Sequence, residues 1–137
     1  MKTSIKLNVS AQYIFERLVD SRIYDIFEAT GRFMAADELA GFAYSSVNDE
    51  GESCQIQITK LISAVSYHFQ VETKDEIVSK AYDLKKLAAD QVEVSYTQKV
   101  KAKNLLVALK NKTNSILFDW LLANNFKKIL KQLEIGY

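Results

Sequence analysis

Apolar and polar residues alternate at the start of the chain, where Ile5, Leu7 and Val9 interleave with Ser4, Lys6 and Asn8. A period of two is what a strand with one covered face imposes. The period then lengthens. Tyr13, Ile14, Leu18 and Val19 recur at helical spacing behind Ser10, whose hydroxyl suits an N-cap, and Ile23, Ile26 and Phe27 repeat that spacing after a second capping site at Asp20-Ser21. Two short helices in a helix-turn-helix are expected here, the second closed by Gly31 in a left-handed C-cap.

From residue 42 to residue 102 the helical period is gone, and strand-like runs are separated by polar turns at Asn48-Asp49-Glu50-Gly51, Lys74-Asp75-Glu76 and Ala88-Ala89-Asp90. The clearest runs place Cys54, Ile56 and Ile58 on one face, then Val65, Tyr67, Phe69 and Val71, then Val92, Val94 and Tyr96. Ser66, His68, Gln70 and Glu72 fall on the opposite, wet face, as in an antiparallel meander covered on one side. Ile77 to Leu87 reads as a further strand of mixed parity, because Val78, Tyr82 and Leu84 share a face with Lys80. Residues 104–111 fit a strand extension, a loop or a helix start equally well. Beyond them Ile116, Leu117, Trp120, Leu121, Phe126, Ile129, Leu130 and Leu133 keep helical spacing opposite Lys127, Lys128 and Lys131. The first half of this helix is apolar nearly all round and needs cover on more than one side, which a curved sheet supplies.

At 137 residues, with no proline, four glycines and no low-complexity tract, the chain reads as a single domain spanning residues 1–137. The expected class is α+β: an antiparallel sheet wrapped around a long C-terminal helix, with two short helices after the first strand. Eighteen basic residues face 17 acidic ones, so the basic excess that grips a phosphate backbone is missing and no nucleic-acid partner is expected. The helix-turn-helix pattern does not change this, since its second helix offers only Arg22 as a cation, beside Asp25 and Glu28. Cys54 is the lone cysteine, which excludes an internal disulfide and suits a reducing compartment. The N-terminus builds no apolar signal core, and the longest apolar stretch, Ile116 to Ala123, is short and contains Asp119. A cytoplasmic protein without integral membrane association is expected.

Candidate chemistry is sparse. One His and one Cys cannot complete a zinc set, no acidic loop matches a calcium site, and no phosphate-binding glycine loop or nucleophile elbow is present, so no metal or cofactor is expected. His68 falls on the wet face as a solvated side chain, Cys54 on the apolar face as an inert thiol, and the carboxylates fall in turns and on polar faces. No catalytic residue emerges. The amphipathic C-terminal helix fits a membrane surface by its lysines, but its apolar first half points to burial within the domain.

The order of elements resembles the START-like (SRPBCC, helix-grip) superfamily of lipid-transfer domains, plant allergens, polyketide cyclases and Hsp90 co-chaperones. The opening Met-Lys-Thr-Ser-Ile-Lys-Leu-Asn-Val-Ser-Ala-Gln-Tyr-Ile-Phe resembles an uncharacterised family of small bacterial proteins within it. The superfamily resemblance implies a cavity between the concave sheet and the long helix for a small apolar or amphipathic molecule. Its expected lining is Ile56, Ile58, Tyr67, Phe69, Tyr82, Tyr96, Gln98 and Trp120, with the tyrosines, Gln98 and Lys80 supplying polar groups to an apolar wall. Two alternatives stand beside ligand binding: a packed protein-interaction module like the Hsp90 co-chaperones, and a cyclase-like enzyme in which a tyrosine or Gln98 polarises a substrate.

Overall fold

The computed structural model describes the backbone of all 137 residues and the side chains of all but residues 109–120. Six strands form one antiparallel sheet: β1 (Lys2–Leu7), β2 (Ala43–Val47), β3 (Ser53–Ile62), β4 (Ser66–Glu72), β5 (Glu76–Ala88) and β6 (Gln91–Ala102). Helix α1 (Ala11–Thr30) follows β1, a 3-10 turn spans Ala36–Glu38, and helix α2 (Leu105–Ile135) ends the chain. The strand order is β1-β6-β5-β4-β3-β2, so β2 to β6 run as a meander and β1 joins its far edge. The sheet curves with both helices on one side, the α+β arrangement that the hydropathy pattern predicts.

Residues 11–30 correct one expectation: they form a single helix where two short ones are predicted. Ser10 caps it, its Oγ accepting from the Tyr13 N–H at 3.1 Å, and Gly31 at φ 73° closes it by donating to the Phe27 carbonyl. Asp20-Ser21 has no glycine or proline to interrupt the ladder, so its caps go unused. The Arg17–Asp20 and Arg22–Asp25 pairs reach across single turns, while Ile14, Val19 and Ile26 keep one buried stripe throughout. Of the ambiguous residues 104–111, all but the N-cap Asn104 belong to α2. The Asn104 side chain accepts from the Val107 N–H at 2.9 Å and starts the helix there.

Leu7, Val9, Ile14, Ile26, Leu39, Ile58, Val92, Val94 and Leu130 are the fully buried centre of the core. Val65, read as part of the β4 apolar face, sits instead in the β3–β4 turn and is exposed. On α2, Phe126 and Leu130 are buried and Leu133 packs against them, whereas Leu121 and Ile129 face outward despite their spacing. The all-round apolar stretch from Ile116 to Trp120 lies outside the described side chains. The end of α2 is pinned by polar contacts: Tyr13 donates to the Leu133 carbonyl at 2.8 Å, the Asn8 N–H donates to Glu134 at 2.9 Å, and Tyr137 bonds Asp90. Among the described residues no helix is long and apolar enough to cross a membrane.

Candidate functional site

Cross-strand register builds the concave face in rows. Ile58, Phe69, Lys80 and Gln98 oppose one another from β3 to β6, and Tyr67, Tyr82 and Tyr96 form the next row. Ile56 extends the face through its pairing with Val71. The β-strand ladder thus gathers all the lining residues named from sequence except Trp120, whose side chain is outside the described set. Opposed aromatic side chains on one face stand close enough to stack. Ring centres are 5.8 Å apart for Tyr67–Tyr82, 5.0 Å for Tyr82–Tyr96 and 5.0 Å for Tyr96–Phe126, so α2 closes the end of the row with a ring of its own. Gln98 Oε1 accepts from the Tyr96 hydroxyl at 2.6 Å.

Polar groups enter this wall from α1. Arg22, with its side chain only 14% exposed, donates from Nε to the Tyr67 hydroxyl at 2.7 Å and from a terminal nitrogen to the Tyr44 hydroxyl at 2.7 Å. The same terminal nitrogen lies 3.3 Å from Asp25, and the Tyr44 hydroxyl donates to that carboxylate. The guanidinium stacks over Phe69 at 4.3 Å from the ring centre. Burial opposes the Arg22 charge, but the phenol oxygens of Tyr67 and Tyr44 outweigh it and hold the guanidinium above its ordinary range. Burial pushes the phenols of this face up, Tyr82 to about 12. Lys80 is pushed down, first by burial and then by the Arg22 charge.

Arg22, Asp25 and Tyr44 were not named as lining from sequence. A signal existed for Arg22: it falls in phase with Val19 and Ile26 on the buried stripe of α1, an unusual place for a cation. An open cleft of about 520 Å³ lies behind this cluster, between Asp25, Glu28 and Ala29 of α1 and Ser45, Ser46 and Ser53 at the β2–β3 edge.

The opposite sheet face holds His68, which has a partner that parity does not reveal. Asp83 Oδ1 takes both His68 Nε2 at 2.9 Å and the buried Ser66 hydroxyl at 2.8 Å. Burial raises the Asp83 carboxyl, and the His68 and Ser66 hydrogen bonds overcome this and draw it below its usual range. Ser66 is aimed at the carboxylate and not at the imidazole, so the three do not form a nucleophile-activating relay. Cys54 is buried, its Sγ 3.6 Å from the Ser46 carbonyl, and burial raises its thiol pKa. Among the described residues no group of three His, Cys, Asp or Glu side chains gathers to hold a metal.

A curved antiparallel sheet gripping a C-terminal helix, with a helix inserted after the first strand, is the START-like helix-grip fold. Solved structures share it: a conserved protein from Geobacillus kaustophilus (18% identity, TM-score 0.58, 96% of this chain and 93% of that one) and Mll3558 from Rhizobium loti (12%, 0.56, 90% and 94%). The Aha1 dimer from Colwellia psychrerythraea is similar at 20% identity and TM-score 0.58, over 99% of this chain and 96% of that one. The chain belongs to the family described as domain of unknown function DUF3284, whose model matches residues 1–119. Comparison with curated proteins gives no match.

Proposed function

We propose that this domain is a non-catalytic cytoplasmic binding module that holds a small apolar or amphipathic molecule between the concave sheet face and α2. The observation that carries the reading is the row Tyr67, Tyr82, Tyr96 and Phe126, continuous from the sheet onto the helix and flanked by a buried cation. A packed core has no need of Arg22 there; a face that receives a ligand gains orientation from such polar groups in an apolar wall. In this reading Trp120, assigned from sequence, joins the lining with Ile56, Ile58, Phe69 and Gln98.

Native mass spectrometry of gently purified protein, compared with the denatured mass, tests this directly. A stoichiometric small molecule that leaves on unfolding is the expected result, and Tyr67→Ala or Trp120→Ala is expected to lose it more readily than His68→Ala. Equal retention in all three variants would remove the residue assignment.

A second reading is a protein-interaction module resembling the Hsp90 co-chaperone domains. It draws on the close stacking of Tyr96 on Phe126, which brings sheet and helix into direct contact, and on outward apolar side chains such as Phe33 and Leu106. Equal native and denatured masses, with capture of a protein partner, would favour it over the carrier. The cyclase-like alternative requires turnover of a bound molecule, and no residue here is assigned a reaction.

A further inference from the structure

The polar groups of the concave face constrain the ligand's chemistry, in an inference that rests on the binding reading above. Two cations lie over one ring, with Arg22 Cζ 4.3 Å and Lys80 Nζ 5.9 Å from the centre of Phe69. Arg22 commits Nε and one terminal nitrogen to Tyr67, Tyr44 and Asp25, and its other terminal nitrogen has no hydrogen bond among the described residues. Lys80 makes neither a hydrogen bond nor an ion pair among them. The Tyr67 hydroxyl accepts from Arg22, and its own hydrogen has no described acceptor; the Tyr82 hydroxyl has no described partner either. Asp25 offsets one of the two cations, so one positive charge is left beside a wall of aromatic rings.

We infer that the ligand is an amphiphile with a single carboxylate head, held between Arg22 and Lys80, with its apolar body along Tyr82, Tyr96 and Phe126. The free terminal nitrogen of Arg22, the Lys80 ammonium and the Tyr67 hydroxyl are donors, and charge-assisted bonds to a carboxylate are the strongest use of them. Burial and the Arg22 charge both disfavour the Lys80 ammonium, a penalty that a fixed anion relieves. A dianionic phosphate head overshoots the single charge available, and a neutral or cationic head leaves that charge without compensation.

Four probes of equal chain length separate the possibilities by titration calorimetry at neutral pH: dodecanoate, dodecanol, dodecyl phosphate and dodecylammonium. Dodecanoate is expected to bind roughly tenfold or more tighter than dodecanol, the scale of a buried charge-assisted contact. In Lys80→Met that advantage is expected to vanish while dodecanol affinity is kept, with circular dichroism reporting the fold and Lys80→Gln as a second, polar replacement. Equal affinities for dodecanoate and dodecanol overturn the carboxylate assignment and leave the binding reading standing. Preference for dodecyl phosphate or dodecylammonium overturns it as well. Failure of the folded protein to bind any of the four removes the binding reading, and this inference with it.

Discussion

Lys80 illustrates what a single half-buried cation on this face costs the fold. Its folded-state pKa is lowered below the ordinary lysine value, so the folded protein disfavours the charged form at neutral pH. Lys80→Met is therefore expected to stabilise the ligand-free protein at pH 7 by on the order of 1 kcal/mol. The gap should close as pH rises through the lowered pKa toward 10.5, as the native lysine loses its proton. Urea unfolding across that range checks both sign and window; a destabilised variant at pH 7 counts against a strained ammonium. Asp83 runs the other way. Its folded pKa is depressed, so its contribution is present above the unfolded carboxylate range and is lost as pH falls through the folded value. In Asp83→Asn the acid limb of the stability curve below about pH 4 should flatten relative to the parent protein. His68, whose parity marks only the wet face, acquires its partner from the β4–β5 register that places His68 against Ala81 and Ser66 against Asp83. Pairing across strands is invisible to the alternation of one strand, which is why Asp83 could not be read beforehand.

Helix α1 shows the same gap at the scale of an element. Its ends were legible, because Ser10 and Gly31 are capping chemistry written locally, but its continuity was not. Asp20-Ser21 offers a cap that local propensity cannot distinguish from an ordinary exposed turn, and the decision falls to the buried stripe packing on β2 and β5. A mid-helix glycine measures this. Ser21→Gly is expected to cost roughly 0.5 kcal/mol in one continuous helix, and close to nothing if residue 21 capped a second helix, where glycine is tolerated. Thermal unfolding distinguishes the two. The strands read more easily, since their apolar faces and turns are set by period and by residues such as Asn48 and Gly51. Lys80 shares the face of Val78, Tyr82 and Leu84, where its ammonium lies 5.9 Å from the centre of the Phe69 ring that Arg22 also approaches.

At the scale of the whole molecule, the grip of sheet on helix was legible from element order, and seven of the eight proposed lining residues share a face because antiparallel register preserves parity across strands. The contribution of α1 was not, since nothing along the chain says which sheet face a helix will cover. Arg22 reaches Tyr44 and Tyr67 only after residues 22 and 45 positions apart from its partners have been folded onto one another.

The place of β1 has a kinetic consequence. Strands β2 to β6 each pair with a neighbour in sequence, yet β1 pairs only with β6, Ile5 opposite Val94 and Leu7 opposite Val92. During synthesis β1 emerges before the other five strands and must wait for the last of them before it has an edge to join, so its docking closes the longest loop in the sheet. Truncating the fully buried Leu7 to Ala should then speed unfolding, with little effect on the folding rate, if β1 docks after the rate-limiting step. Stopped-flow chevrons decide the order: a slowed folding limb would place β1 in the nucleus, whereas a shifted unfolding limb makes it the final latch, and the native lifetime then depends on the earliest of the six strands to be made.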